Sequence, residues 1–257
     1  SPAESTGRLP AHVPLALDLL ADMLQHSAFA EDELSREKEV ILEEIGMAED
    51  APEDLIHEMF DAHFFAEHPL ARSVLGTRSS VLRQRREDIV NFVERHYTPD
   101  NMVIAAAGNV DHDELVALVE RLFDKEPADV RSARSLRPFV YAPRRVSVDK
   151  DTEQVHICVG APGLVRSDER RFALELLDII VGGGMSSRMF QQLRENRGLV
   201  YSTYSFSTSY TDVGVFGVYA ATRPERADEA LEVIHDELAK LAAGDIVVDE
   251  VNRAREQ

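Results

Sequence analysis

The chain has 257 residues, 44% of them hydrophobic, enough to bury one large core or two modest ones. Its formal net charge of -19 repels nucleic acid and anionic membrane surfaces, and the nearest basic grouping, Arg131, Arg134, Arg137, Arg144 and Arg145, is scattered rather than focused. The single cysteine, Cys158, excludes an internal disulfide, and no run reaches the roughly 20 apolar residues of a membrane helix; a bacterial cytoplasm is the expected compartment, with no nucleic-acid or membrane partner.

Ser1 to Pro10 is polar, carries no initiating methionine and leads straight into a helix, so the chain is expected to begin inside a domain. Pro14 suits a first helical turn, and Leu17, Leu20, Ala21 and Leu24 recur at helical spacing. After a break near Phe29, a second helix is predicted from Asp32 to Glu49. A third starts at Pro52, with Glu53 and Asp54 in its first turn and Leu55, Met59 and Phe60 inward. A further helix ends near Tyr97. Met102 to Val110 is a continuous apolar run that predicts a buried strand, and Asp111 with Glu114 opens a helix whose face is Leu115, Leu118, Val119 and Leu122.

Periodicity stops between Lys125 and Arg145, where Pro127, Pro138 and Pro143 fall among charges; 131–145 is expected to be a linker between domains at 1–130 and 146–257. The second half opens with two predicted strands, Arg145 to Asp149 and then one through Val155, Ile157 and Val159. A helix from Ser167 to Val181 follows, then a flexible break at Gly182-Gly183-Gly184 and another helix. A hairpin (Val200 to Phe206, Val213 to Thr222) and a helix after Pro224 complete it. Met102 to Phe123 and Val213 to Leu241 each place a strand before an amphipathic helix, which predicts a duplicated α+β unit. Charged helical residues still run at Gln257, so the second domain is also expected to continue.

In the second helix, Leu34, Ile41, Ile45 and Ala48 make one apolar stripe at about 100° per residue. Glu43 lies opposite it, whereas Glu37 and Glu44, seven apart, point alike on its border. A carboxylate there needs a partner or a route to water, and geometry alone leaves both open. The histidines offer no metal pair: His63 and His68 diverge by about 140° on a helix, and neither His-x-x-Glu-His nor His-Glu-x-x-His occurs in the chain. The glycine run follows a helix rather than a strand and lacks a Gly-Lys-Ser/Thr sequel, which argues against nucleotide binding. Arg194, late in a predicted helix, and Tyr201, opening a strand, could donate hydrogen bonds to a peptide carbonyl; a surface arginine and a half-buried strand tyrosine would look the same.

Three runs, Glu37-Lys-Glu-Val-Ile-Leu-Glu-Glu44-Ile, Tyr97-Thr-Pro-Asp-Asn-Met-Val-Ile-Ala-Ala-Ala-Gly-Asn-Val110 and Gly182-Gly-Gly-Met-Ser-Ser-Arg-Met-Phe-Gln-Gln-Leu-Arg-Glu-Asn-Arg-Gly-Leu-Val-Tyr-Ser202, resemble bacterial metallopeptidases of the pitrilysin/insulinase family, closest to the mitochondrial processing peptidases. The resemblance implies an α+β fold of two homologous domains, each a sheet covered by helices on one face, the first domain incomplete. It implies a zinc-dependent endopeptidase acting on peptides or small unfolded polypeptides. Glu44 matches the distal zinc ligand, Glu37 an acidic residue supporting the catalytic site, and Arg194 and Tyr201 the pair that binds substrate backbone from the second domain. The inverted motif that supplies the other ligands and the general base would lie upstream of Ser1, so the chain alone is expected to be inactive. A homodimer, or a heterodimer with a related subunit, would enclose the peptide. The competing expectation is a non-catalytic scaffold subunit of a peptidase or respiratory-complex assembly.

Overall fold

The computed structural model describes Pro10, residues 12–123 and residues 139–257. In chain order it contains α1 (His12–Gln25), α2 (Glu31–Asp50), α3 (Pro52–Phe64), α4 (Arg78–Arg83), α5 (Arg86–His96), α6 (His112–Leu122), β1 (Val155–Pro162), α7 (Arg171–Gly182), a π-helical segment (Phe190–Glu195), β2 (Val200–Ser209), β3 (Gly214–Thr222), α8 (Ala227–Ala242) and α9 (Val248–Glu256). By compactness the chain forms two units, one of residues 1–43 and 77–134 and one of residues 44–76 and 135–257. This cuts the chain differently from the expected domains at 1–130 and 146–257, because α3 folds with the second half. Much of the expected 131–145 linker lies outside the described residues.

Helices are the only regular secondary structure among the described residues of the first unit. Leu17 and Ala21 of α1 and Leu118 of α6 are buried, whereas Leu20 is half exposed; the Gln25 amide donates to the Leu122 carbonyl at 2.7 Å and ties the ends of α1 and α6 together. The break before α2 falls where expected. Phe29 adopts φ 46°, and Arg86 of α5 holds this turn by donating to the carbonyls of Phe29 (3.0 Å) and Ala28 (2.9 Å). Asp111 caps α6, accepting from the Glu114 amide at 3.0 Å.

The strand expected at Met102 to Val110 does not form. These residues run as coil, with Val103 93% exposed. An apolar run becomes a strand only where a neighbour takes its N–H and C=O groups, and the described part of this unit contains no other strand. Among the described residues the strand–helix unit is therefore seen once, at Val213 to Leu241, and the sheet expected in the first domain is not seen.

In the second unit, β1, β3 and β2 make an antiparallel sheet with β3 at its centre, paired Val155↔Thr222 through Pro162↔Val215 on one side and Val200↔Thr222 through Ser209↔Gly214 on the other. The predicted hairpin is thus present. Arg145 to Asp149 is not a strand: it is coil, with Val146 and Val148 exposed. Side chains of β3 alternate between two cores. Val218 and Ala220 pack with Val181, Met189, Leu193, Ala230 and Ile234 from α7, the π-helical region and α8. Tyr219 faces the other way, stacking on Tyr204 (4.7 Å between ring centroids) and on His57 of α3 (5.6 Å). The sheet is therefore covered on both faces rather than one: a face of tyrosines and Phe206 is too apolar to leave to water, and α3 supplies the cover.

The expected helix after the glycine run is one turn of α-helix leading into the π-helical segment. Gly182 is buried, and a Cβ there would lie 2.0 Å from the Ser205 amide nitrogen. Its lack of a side chain lets the end of α7 press on β2. The glycine serves close packing rather than the flexibility expected of it.

Candidate functional site

α2 carries the two glutamates singled out above. Leu34, Ile41 and Ala48 are half-buried and Ile45 is buried, as the periodicity required, while Glu37, Glu43 and Glu44 are exposed. Glu37 and Glu44 extend along nearly one line of the helix, about 20° apart. Both reach water, and among the described residues neither has an ion-pair partner.

Arg194 and Tyr201 flank the junction of the π-helical segment with β2. The π turn is defined by the Asn196 amide donating to the Gln191 carbonyl at 2.9 Å, and the Leu199 amide donating to Leu193 at 2.7 Å closes the connection. Leu193 and Leu199 are buried and anchor it. Arg194 is exposed; its guanidinium sits 5.2 Å from the Phe190 ring centroid. Tyr201 is 48% exposed and falls at a register shift between Val200 and Ser202, the kind of irregularity that re-aims a side chain at a sheet edge.

Tyr201 does not bond to Arg194. Its hydroxyl accepts a hydrogen bond from Arg223 Nε at 2.8 Å. Sequence reasoning missed Arg223: Val200 and Thr222 pair at the open end of the hairpin, Arg223 lies just beyond that pair and Tyr201 just inside it, and Tyr201 falls at the register shift, which the sequence does not reveal.

The three histidines of and just after α3, His57, His63 and His68, each contact groups of the protein itself. His68 is buried, with Nδ1 accepting from the Leu70 amide at 3.3 Å and Nε2 3.1 Å from Asp212 Oδ2. His63 Nδ1 lies 2.7 Å from the Met59 carbonyl oxygen. Burial lowers the pKa of His57 from its ordinary value against the pull of Glu53 and Asp54. Cys158 on β1 packs opposite Tyr219, and burial, followed by Asp61 and Glu53, pushes its thiol up to about 12. Such a thiol is inert.

Zinc is the metal to test against this arrangement. Among the described residues no group of three His, Cys, Asp or Glu side chains converges. The chain also lacks both common two-histidine motifs. Its residues therefore do not by themselves fit a zinc site, which needs at least three protein ligands.

Residues 85–257 match the model described as the peptidase M16 inactive domain, and residues 7–78 the model described as insulinase (peptidase family M16). The chain belongs to the M16 family of peptidases. An uncharacterized zinc protease of Streptomyces coelicolor is 42% identical over 96% of this M16 chain and 55% of its own length, and one of Bacillus subtilis is 37% identical over 97% and 60%. The chain thus spans a little over half the length of these curated relatives. The crystal structure of a peptidase M16 inactive domain from Pseudomonas fluorescens superposes with a TM-score of 0.82 at 24% identity, over 94% of this chain and 59% of that one. This likeness shows the α+β M16 fold. Among the described residues no helix is long and apolar enough to cross a membrane.

Proposed function

We propose that this chain forms part of a zinc-dependent endopeptidase that cleaves peptides or small unfolded polypeptides. The observation that carries the reading is the junction of the π-helical segment with β2, where Arg194 and Tyr201 are exposed and, among the described residues, no carboxylate takes the guanidinium and no acceptor takes the phenol proton. An extended peptide offers backbone carbonyls that such donors suit. Donors of this kind gain strength where negative charge builds on a carbonyl oxygen, so the same pair can favour the transition state over the bound substrate.

The names of the relatives support zinc. Glu44 would give one carboxylate ligand, with Glu37 as the acidic support along the same helix. The remaining ligands and the general base would come from residues outside this chain. A homodimer, or a pairing with a related subunit, would enclose the peptide.

The test is zinc content and peptidase activity of the full-length protein, beside Glu44→Gln and Glu43→Gln. About one zinc per chain and peptide cleavage in wild type and Glu43→Gln, both lost in Glu44→Gln, would support the assignment. A full-length wild type with neither zinc nor cleavage would overturn it.

One finding favours a second reading, a non-catalytic partner subunit: residues 85–257 match the model whose description is an inactive domain. That reading predicts cleavage only when the protein is mixed with a related, zinc-bearing subunit.

A further inference from the structure

We propose that Arg223 is a positioning residue that holds Tyr201 ready to donate to a peptide carbonyl, an inference that rests on the peptide-binding role proposed above. A guanidinium only donates, whereas a phenol hydroxyl has one proton to give and lone pairs to accept with. Because Arg223 Nε donates to the Tyr201 oxygen at 2.8 Å, the phenol proton is left for another acceptor. None of the described residues provides one. The Arg223 guanidinium carbon also lies 5.9 Å from the Tyr201 ring centroid, so the cation restrains the ring as well as the oxygen.

The backbone beneath this contact is fixed. Thr222, which precedes Arg223, is fully buried, pairs with Val200 and donates through Oγ1 to the Leu199 carbonyl at 2.6 Å. Arg223 thus leaves the sheet from a pinned residue, directly across from the strand start that carries Tyr201. The register shift between Val200 and Ser202 frees Tyr201 from strict alternation, and Arg223 restores a defined direction to its side chain. Arg194 stacks on Phe190 within the same unit and has no carboxylate among the described residues to neutralise it. Peptide recognition at this end of the sheet then involves Arg194, Tyr201 and the arginine behind it.

The test is a double-mutant cycle in the full-length protein on an extended peptide, with kcat, KM and the thermal midpoint measured for Arg223→Met, Tyr201→Phe and the double variant. Arg223→Met is expected to lower kcat/KM about tenfold, mostly in kcat, with an unchanged thermal midpoint, since an outer partner acts on the group that meets the transition state. In the Tyr201→Phe background the same change is expected to have less than about a twofold effect, because the oxygen it orients is gone. Equal losses in both backgrounds would overturn the inference while leaving the peptidase reading intact. Losses that track a fallen thermal midpoint would also overturn it, making the contact structural. A wild type that cuts no peptide would overturn the peptidase reading and this inference with it.

Discussion

His57 Nε2 lies 2.8 Å from the Tyr204 hydroxyl, which donates in turn to Glu53 Oε1 at 2.9 Å. With its proton committed to Glu53, the hydroxyl accepts from His57, so the imidazole carries its proton on Nε2. This relay joins α3 to β2 and makes the packing of α3 on the sheet sensitive to pH.

The sign of that sensitivity follows from the direction of each shift. Burial holds His57 below 6.5 in the folded chain, and His156, whose Nδ1 is 2.9 Å from the Tyr219 hydroxyl, is lowered for the same reason. The unfolded chain then takes up these protons first, so their stabilisation is complete above about pH 6.5 and is lost as pH falls through the folded-state values. Asp61 acts in the opposite sense: burial and then Glu58 raise it from 3.8 to about 6, so its contribution is present below 3.8 and lost as pH rises through about 6. Asp61→Asn should therefore raise stability at pH 7.5 by about 1 kcal/mol, after discounting a group that is only half-buried. Urea unfolding between pH 5 and 8 reads it, and a profile unchanged by Asp61→Asn would refute the assignment.

Gly182→Ala should destabilise the protein by about 2 to 4 kcal/mol, because the new methyl would meet the β2 backbone at Ser205. Gly184→Ala is the control: its Cβ would have only the Gln257 side chain at 3.9 Å. Thermal unfolding should separate the two by well over 5 °C. Equal behaviour would mean that α7 does not press on β2 at that point.

Arg188 is a further point of vulnerability. Its side chain is 12% exposed and forms a fork with Glu250, Nε to Oε1 at 2.7 Å and Nη2 to Oε2 at 2.8 Å; the buried Glu237 carboxylate is 3.9 Å from Nη1. Glu250 also caps α9, accepting from the Val247 amide at 3.1 Å. Arg188→Met leaves Glu250 without its cation, while Glu237 keeps Lys240 Nζ at 2.6 Å, and should cost about 3 kcal/mol, with α9 the first element to lose amide-exchange protection. Combining it with Glu250→Gln should recover part of the loss. A double variant less stable than the single one would count against the ion-pair account.

Substitution on α2 should behave quite differently. Glu43 and Glu44 are both exposed, so Glu→Gln at either position should change stability by less than about 0.5 kcal/mol. A difference in metal content between them, measured by elemental analysis of the full-length protein, then reports ligation rather than folding. Loss of zinc from both variants, or from neither, would refute the Glu44 assignment.

What the sequence disclosed follows from where the deciding interactions lie. The stripe Leu34, Ile41, Ile45 and Ala48 was legible because helical period is local, and the β2–β3 hairpin because its partners are separated by a short turn. Met102 to Val110 misled because an apolar run carries the demand for a strand partner but not the partner itself. α3 was recognised as a helix, yet its role as cover for a second sheet face depends on His57 and Phe60 meeting Tyr204 and Phe206, about 150 residues away in the chain. The Arg223–Tyr201 contact was hidden for a subtler reason: it depends on register, and the shift beside Tyr201 moves that register by a single residue.

The π-helical turn at Phe190–Glu195 has a consequence for how this chain tolerates change. A π turn accommodates one residue more than an α-helical turn over the same stretch, so its residue count sets the direction of everything that follows. Deleting one residue there would keep Arg194 and Tyr201 chemically intact while turning the downstream chain by about 100°. At this junction length is itself under constraint, and a change that alters no functional side chain could still aim both of them away from a bound peptide.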